Sequence, residues 1–91
     1  MPLHVTRQTD PSRFEAVVEG QHCMAAYRLV DGVMVMTHTF VPPALEGRGI
    51  AAALVAAAMD HARRHSLKID PRCSYVRHYM QRHPDTQSLQ V

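Results

Sequence analysis

Apolar and polar residues alternate with a period of two through the first part of the chain. In the stretch RFEAVVEG, residues 13 to 20, Phe14, Ala16 and Val18 fall on one side and the charged residues Arg13, Glu15 and Glu19 fall on the other. This alternation is typical of a β-strand with one buried face, because successive side chains of a strand point to opposite faces. A Gly-Gln pair then predicts a turn.

Two more apolar stretches follow, HCMAAYRLVDG (residues 22 to 32) and VMVMTHTFV (residues 33 to 41), and both predict strands. They meet at Asp31-Gly32, and an Asp-Gly pair between apolar runs is a strong signal for a tight β-hairpin. A short strand over residues 3 to 7 would open the same sheet. The first half of the chain therefore predicts an antiparallel meander.

The pattern changes after Pro42-Pro43, which ends the third clear strand because proline cannot donate to a strand ladder. From residue 48 to 65 the apolar residues recur every three or four positions, as on one face of an amphipathic α-helix. Its last turns carry several cations, which the negative end of the helix dipole favours. The apolar positions are Ile50, Leu54, Val55, Ala58 and Ala62.

The remaining segments complete the predicted architecture. LKIDP, residues 67 to 71, predicts one more strand, and CSYVRHYMQRH, residues 73 to 83, predicts a helix with Ser74 as its N-cap. Residues 84 to 91 carry no clear signal. The chain is expected to be one α+β domain over residues 1–91, with a meander followed by a central helix, a strand and a C-terminal helix.

Composition and charge narrow the function classes. A chain of 91 residues with 46% hydrophobic and 20% charged residues is typical of a globular protein. No apolar run reaches the roughly 20 residues that cross a bilayer, so no membrane partner is expected. We expect no secretory leader, a cytoplasmic location and two free cysteine thiols.

The charges are distributed unevenly along the chain. Residues 1 to 47 hold three arginines against five acidic residues, whereas residues 48 to 91 hold seven lysines or arginines against three acidic residues. The second half therefore suits an anion. The net charge of +2 is small for a protein that neutralises many nucleic-acid phosphates. A phosphorylated small molecule is the expected partner, and nucleic acid is not.

PPALEGRGIAAALV, residues 42 to 55, places two glycines just before the central helix. Glycine permits backbone shapes and close approaches that a side chain would obstruct. A helix N-terminus presents unpaired N–H groups and the positive end of its dipole, which together bind phosphate. A tight strand-to-helix turn without a ligand would explain the same residues, so this motif alone leaves both interpretations open.

The chain as a whole resembles the GNAT superfamily of acetyl-CoA-dependent N-acetyltransferases, and in particular a group of small GNAT-like domains. The resemblance rests on four segments, YRLVDG, HTFVPPALEGRGIAAALV, ARRHSLKIDPRCSYV and YMQRHP, and covers nearly the whole chain. It implies a minimal GNAT-like fold that binds acetyl-CoA as co-substrate. It also implies transfer of the acetyl group to a primary amine, with the acceptor unknown.

In that superfamily, the loop before the central helix binds the diphosphate of CoA and opens with arginine or glutamine. Glu46 stands at that position here, so the resemblance implies that backbone N–H groups of the loop bind the diphosphate and that Arg48 compensates. The pantetheine arm would lie between residues 36–41 and residues 67–70. The implied coenzyme-binding residues are Thr39, Phe40, Val41, Gly47, Arg48, Gly49, Ile50 and Ala51.

Three side chains are candidates for the chemistry. Tyr79, in YMQRHP, matches a tyrosine that protonates the departing thiolate in many GNAT enzymes, although His83-Pro84 replaces the usual Gly-Phe. Its structural alternative is packing on the sheet.

Cys73, in PRCSYV, lies at a predicted helix N-terminus beside arginines, which favour a thiolate. It would take the acetyl group covalently, line the acetyl pocket or be inert. His38 would accept a proton from the amine or be held structurally.

Two alternatives to an enzyme stay open on the sequence alone. The same residues fit a CoA-binding module without efficient catalysis, acting as a sensor or as a partner of another protein. The basic second half also fits a weak nucleic-acid-binding domain. No metal site is expected, because the histidines and cysteines lack the close pairing that zinc sites usually have.

Overall fold

Residues 3–91, which the computed structural model describes, form five strands and two α-helices. The strands lie side by side in chain order, the first four antiparallel and β5 parallel to β4. The expected α+β fold is confirmed. The elements are β1 (Thr6–Thr9), β2 (Ser12–Val18), β3 (Gln21–Val30), β4 (Val33–Phe40), α1 (Ile50–Arg64), β5 (Lys68–Pro71) and α2 (Ser74–Arg82), with 3-10 turns at Pro43–Leu45 and Pro84–Leu89.

Turn residues set the register of the meander. Asp31 and Gly32 have φ angles of 48° and 77°, and two successive left-handed residues are what a two-residue type I′ hairpin requires. The predicted hairpin between β3 and β4 is confirmed. The first strand lies later than expected, at Thr6–Thr9, because its pairing with β2 begins at Thr9 opposite Ser12, beside the turn that joins them.

A single buried cluster joins the sheet to both helices. Along β3, Cys23, Ala25 and Tyr27 are buried while Met24 and Ala26 are half-buried, which is the alternation expected of a sheet with one covered face. Burial of this apolar surface drives folding. Because α1 and β4 both contribute to the cluster, the start of α1 lies beside the end of β4. The helices contribute Ile50, Leu54, Val55, Ala58, Met59, Ala62, Val76 and Met80 to the cluster.

Both helices begin at residues other than those predicted. α1 begins at Ile50 rather than Arg48, because Gly49 has a φ of 79° and a left-handed residue interrupts a right-handed helix. It ends at Arg64. The N-cap of α2 is Cys73, and Ser74, predicted to be the N-cap, is instead the first helical residue. Neither helix is long and apolar enough to cross a membrane within the part of the chain that the structure describes.

The segment after α2, which has no clear pattern in the sequence, packs onto the core. Pro84–Leu89 forms a 3-10 turn that buries Thr86 and Leu89. The last residues then run along β5, where the Val91 N–H donates to the Ile69 carbonyl at 3.0 Å. Part of the outer edge of β5 is thereby covered.

Candidate functional site

β4 has a neighbouring strand on both sides for only half of its length. It pairs with β5 over residues 33–36, and the Cys73 N–H donates to the Met36 carbonyl at 2.9 Å as the last link. Pairing with β3 continues to Phe40. Within residues 3–91, the main chain of residues 37–40 therefore has no strand on its β5 side.

A β-bulge lies on β4 at the point where its pairing with β5 ends. The register between β3 and β4 shifts by one residue between Ala26 and Tyr27, which leaves Thr37 as the extra residue on β4, and an extra residue bends its strand. The expected gap for the pantetheine arm was beside residues 67–70, yet residues 68–71 are paired with β4. The gap opens beyond the end of β5 instead.

A groove of about 540 Å³ lies between the unpaired half of β4, the glycine turn and the first turns of both helices. Its walls are mostly apolar, and its size suits a small-molecule ligand. Leu45, Glu46 and Tyr75 form part of the wall. Seven of the eight residues expected to bind the coenzyme also line it, namely Thr39, Phe40, Val41, Gly47, Gly49, Ile50 and Ala51.

The glycine turn has open space in front of it. Gly47 and Gly49 have φ angles of 83° and 79°, which residues with side chains rarely adopt. A Cβ at either position would meet no heavy atom within 4 Å in the described chain. The backbone conformation therefore requires glycine here, and the space in front of the turn is available to a ligand.

The first turn of α1 has no side-chain cap within residues 3–91. Gly49 is the N-cap residue, no side chain bonds to the first N–H groups, and no acidic residue lies in the first turn. The initial N–H groups of a helix have no partner inside the helix, and the dipole is positive at this end. This end of the groove can therefore bind an anion.

Arg48 turns away from the groove. Its guanidinium pairs with Glu19, in the turn between β2 and β3. Arg48 lines a second groove, of about 610 Å³, which shares Gly49 with the first. Glu46, and not Arg48, is among the residues that line the first groove. For Arg48 to compensate for Glu46, it would have to leave Glu19.

Cys73 lies half-buried where β5 passes into α2. Its Sγ is 3.4 Å from the Oγ1 of Thr39, which lines the groove. Burial opposes ionisation of this thiol, but the Thr39 hydroxyl and main-chain groups of Val76, Tyr75 and Thr39 outweigh it and lower the pKa of Cys73. Hydrogen bonding, rather than the neighbouring arginines, accounts for this direction. Cys23 is fully buried, and burial raises its pKa.

The tyrosine in the groove is Tyr75 rather than Tyr79. Tyr75 is 38% exposed and lines the groove. Tyr79 lies one helical turn later, packs against the core and stacks on the ring of His83 at a centroid distance of 3.9 Å. Burial raises the pKa of both hydroxyls. Tyr75 has no role in the sequence-based prediction, although its place two residues after Cys73 puts it in the first turn of α2.

His38 lies on the other face of the sheet from the thiol. Its side chain is exposed, whereas that of Thr39, the next residue, contacts Cys73, and adjacent residues of a strand face opposite sides. The structure therefore brings Cys73 and Thr39 together beside the groove. None of the three predicted catalytic residues, Cys73, His38 and Tyr79, lines the groove itself, and Cys73 reaches it through Thr39.

The histidines of α1 are packed rather than arranged around a metal. The rings of His61 and His65 lie 4.3 Å apart, and His61 also packs edge-on against Phe14. Burial, followed by the charge of Arg7, lowers the pKa of His61. Among residues 3–91, no three histidine, cysteine, aspartate or glutamate side chains converge to hold a metal ion.

Comparison with known proteins shows what the chain is similar to. A family model described as GCN5-related N-acetyl-transferase matches residues 13–89, which include the whole groove. Protein NATD1 from Mus musculus is 34% identical over 96 residues, covering 98% of this chain and 84% of the relative. Protein NATD1 from Homo sapiens is also 34% identical, covering 98% of this chain and 81% of its own length. Protein NATD1 from Xenopus tropicalis is 42% identical over 55 residues, 60% of this chain and 50% of its own length.

Proposed function

Because the chain belongs to the GCN5-related N-acetyltransferase family, we propose that it binds acetyl-CoA in the groove beside β4 and transfers the acetyl group to a primary amine. The observation that carries the proposal is the unpaired edge of residues 37–40, which links the uncapped start of α1 to the Cys73 thiol. An anion site at one end of the groove and a nucleophile behind its Thr39 wall thus lie close to the same strand edge.

The acyl donor binds along this edge. The pantetheine amides hydrogen-bond to the main chain of residues 37–40, as an added strand would. The apolar side chains of Val41 and Leu45 cover the arm, and the diphosphate lies before Ile50, where the N–H groups of α1 have no side-chain cap. The acetyl group ends beside Cys73, since Thr39 both lines the groove and contacts the thiol.

Acetyl transfer then takes two steps. The Cys73 thiolate attacks the thioester carbonyl, a C–S bond to Cys73 forms, and the bond to the coenzyme sulfur breaks, which releases the coenzyme as a thiolate. A neutral amine next attacks acetyl-Cys73, so that a C–N bond forms and the Cys73 thiolate leaves. The groups that lower the pKa of Cys73 favour the thiolate in both steps.

Two proton transfers accompany these steps. The coenzyme thiolate takes up a proton, for which Tyr79 is the sequence-based donor and Tyr75 is the donor that lines the groove. Their raised pKa values keep both hydroxyls protonated and able to donate. The amine also loses a proton. His38 is the sequence-based acceptor, but its side chain lies on the opposite face of the sheet from Cys73, so a role for His38 requires relay through water.

Thermal unfolding with and without acetyl-CoA tests the binding step, with ATP at equal concentration as the control for charge. Ligand at about 100 times its Kd adds roughly 2.7 kcal/mol to the free energy of unfolding. In a chain this small, that raises the midpoint by about 10 °C or more. A shift specific to acetyl-CoA supports the site, and an equal shift with ATP contradicts it.

Mass spectrometry of the intact protein tests the chemical step. Incubation with acetyl-CoA and no amine should leave one acetyl group on Cys73, and addition of a primary amine should remove it. Cys23→Ala is the matched control and should be acetylated normally, because Cys23 is buried in the core. Binding of acetyl-CoA without acetylation or turnover would instead identify a non-catalytic CoA-binding module.

A further inference from the structure

The groove that holds the proposed acyl donor carries a negative charge and no positive one. Among the lining residues of the described chain, Glu46 is the acidic residue, and no lysine, arginine or histidine is present. CoA ends in a nucleotide with several negative phosphate charges. Like charges repel, so this carboxylate works against the binding of that end of the coenzyme.

Glu46 lies at the turn that the phosphates have to approach. It follows the 3-10 turn Pro43–Leu45 and directly precedes Gly47, next to the uncapped first turn of α1. Its side chain is exposed and makes no ion pair within residues 3–91. The carboxylate is therefore not neutralised by a neighbouring side chain.

The arginine next to this turn and the arginines on either side of Cys73 in the sequence are engaged elsewhere. Arg48 pairs with Glu19, and Arg72 pairs with Asp70 at 2.9 Å. Arg77 donates from Nη1 to two main-chain carbonyls at 3.1 and 2.8 Å. The N–H groups of α1 attract a diphosphate and Glu46 repels it, so the two effects offset each other.

We propose that this protein recognises its acyl donor through the pantetheine arm, and that Glu46 cancels most of the contribution of the nucleotide. The inference rests on the proposed function, because it concerns the donor of that reaction. The arm is uncharged, and it meets the open main chain of residues 37–40 and an apolar wall that includes Val41, Leu45 and Ile50. None of these contacts depends on a phosphate.

Isothermal titration with acetyl-CoA and with S-acetylpantetheine measures how much the nucleotide contributes to the affinity for the donor. S-acetylpantetheine has the same thioester and the same arm but no phosphate and no nucleotide. For the unaltered protein we expect the two Kd values to agree within about threefold. Acyl transfer to a primary amine, followed with both donors, should show the same agreement in kcat/KM.

Two substitutions of Glu46 sharpen the test. Acetyl-CoA should bind several-fold more tightly to Glu46→Gln and about tenfold more tightly to Glu46→Arg, because an exposed charge changes affinity by up to several-fold. The Kd for S-acetylpantetheine should stay the same in both variants. Gln87→Arg, on the exposed turn after α2, changes the net charge as much as Glu46→Gln does and should alter neither Kd.

The failure of this inference differs from the failure of the proposed function. Acetyl-CoA binding more than about thirtyfold tighter than S-acetylpantetheine binding, or an acetyl-CoA affinity unchanged by Glu46→Arg, would overturn the role of Glu46 and leave the acetyl-CoA site standing. If neither donor binds to any of these proteins, the groove is not an acyl-donor site and both proposals are wrong.

Discussion

The two halves of β4 show how one strand supports both the core and the site. Residues 33–36 lie between β3 and β5, and Met34, Val35 and Met36 are buried. Within residues 3–91, residues 38–40 pair only with β3, Thr37 is the extra residue of the bulge, and most of these residues are exposed. The first half has its main-chain polar groups satisfied by two neighbouring strands. The second half has no strand on its β5 side, where a main-chain group of Thr39 interacts with the Cys73 thiol. The core and the proposed donor site therefore use adjoining parts of the same strand.

Met36→Ala should have the largest effect, and it acts on the paired half. Its side chain is fully buried, and truncation of a buried methionine costs about 2 to 5 kcal/mol of stability. Urea unfolding measures this loss. Met36 does not line the groove, so the folded variant should keep its affinity for acetyl-CoA. A loss below about 1 kcal/mol would show that the paired half adds little to the core.

Cys73→Ser should lower turnover by about 100-fold or more, because serine is not ionised at neutral pH and cannot replace the thiolate. This loss corresponds to about 2.7 kcal/mol in the activation barrier. Initial rates with acetyl-CoA and a primary amine measure it, and thermal unfolding should show that the fold is kept. Turnover close to that of the parent would exclude a covalent role for Cys73.

Thr39→Val acts on the unpaired half and removes the hydroxyl that lies 3.4 Å from the Cys73 sulfur. Burial is then less well offset, so the pKa of Cys73 should rise and its alkylation by iodoacetamide should shift to higher pH. The alkylation rate against pH, in a Cys23→Ala background, measures this shift. Thr39→Ser keeps a hydroxyl and should keep the profile. An unchanged profile in Thr39→Val would mean that main-chain groups alone favour the thiolate.

His38→Ala should have the smallest effect. The side chain is exposed on the face away from Cys73, so stability should change by less than about 0.5 kcal/mol. If His38 accepts the amine proton through water, turnover should fall a few-fold while acetylation of Cys73 proceeds at its normal rate, since bulk water can partly replace an exposed base. Unchanged turnover at every pH would remove His38 from the mechanism.

The elements set by local patterns could be predicted from the sequence. Alternation along β2 and β3 and the Asp31-Gly32 pair are local signals, and they predicted the hairpin and its neighbours. The 3-10 turn Pro84–Leu89 could not be predicted this way, because a turn this short has no periodic signal and is stabilised by the burial of Thr86 and Leu89.

The site could be predicted only in part, since contacts between distant residues complete it. The glycine turn and the end of β4 lie in one continuous segment, and the resemblance to a family predicted both as coenzyme-binding residues. Arg48, in contrast, contacts Glu19, 29 positions away, and no local pattern shows which way its side chain turns. The choice between Tyr75 and Tyr79 likewise depends on how α2 packs, which its own periodicity does not fix.

The chain after α2 covers part of the β5 edge, but it leaves the unpaired edge of β4, residues 37–40, exposed to other molecules. Its pairing with Ile69 shields part of the outer edge of β5, while no strand of the described residues 3–91 covers the β5 side of residues 37–40. An uncovered strand edge is a template on which other polypeptides pair and aggregate. The opening proposed to bind an acyl donor is thus also an edge on which a second copy of this protein can pair. A bound donor would cover this edge and reduce aggregation. Light scattering during heating, with and without acetyl-CoA, would measure this reduction.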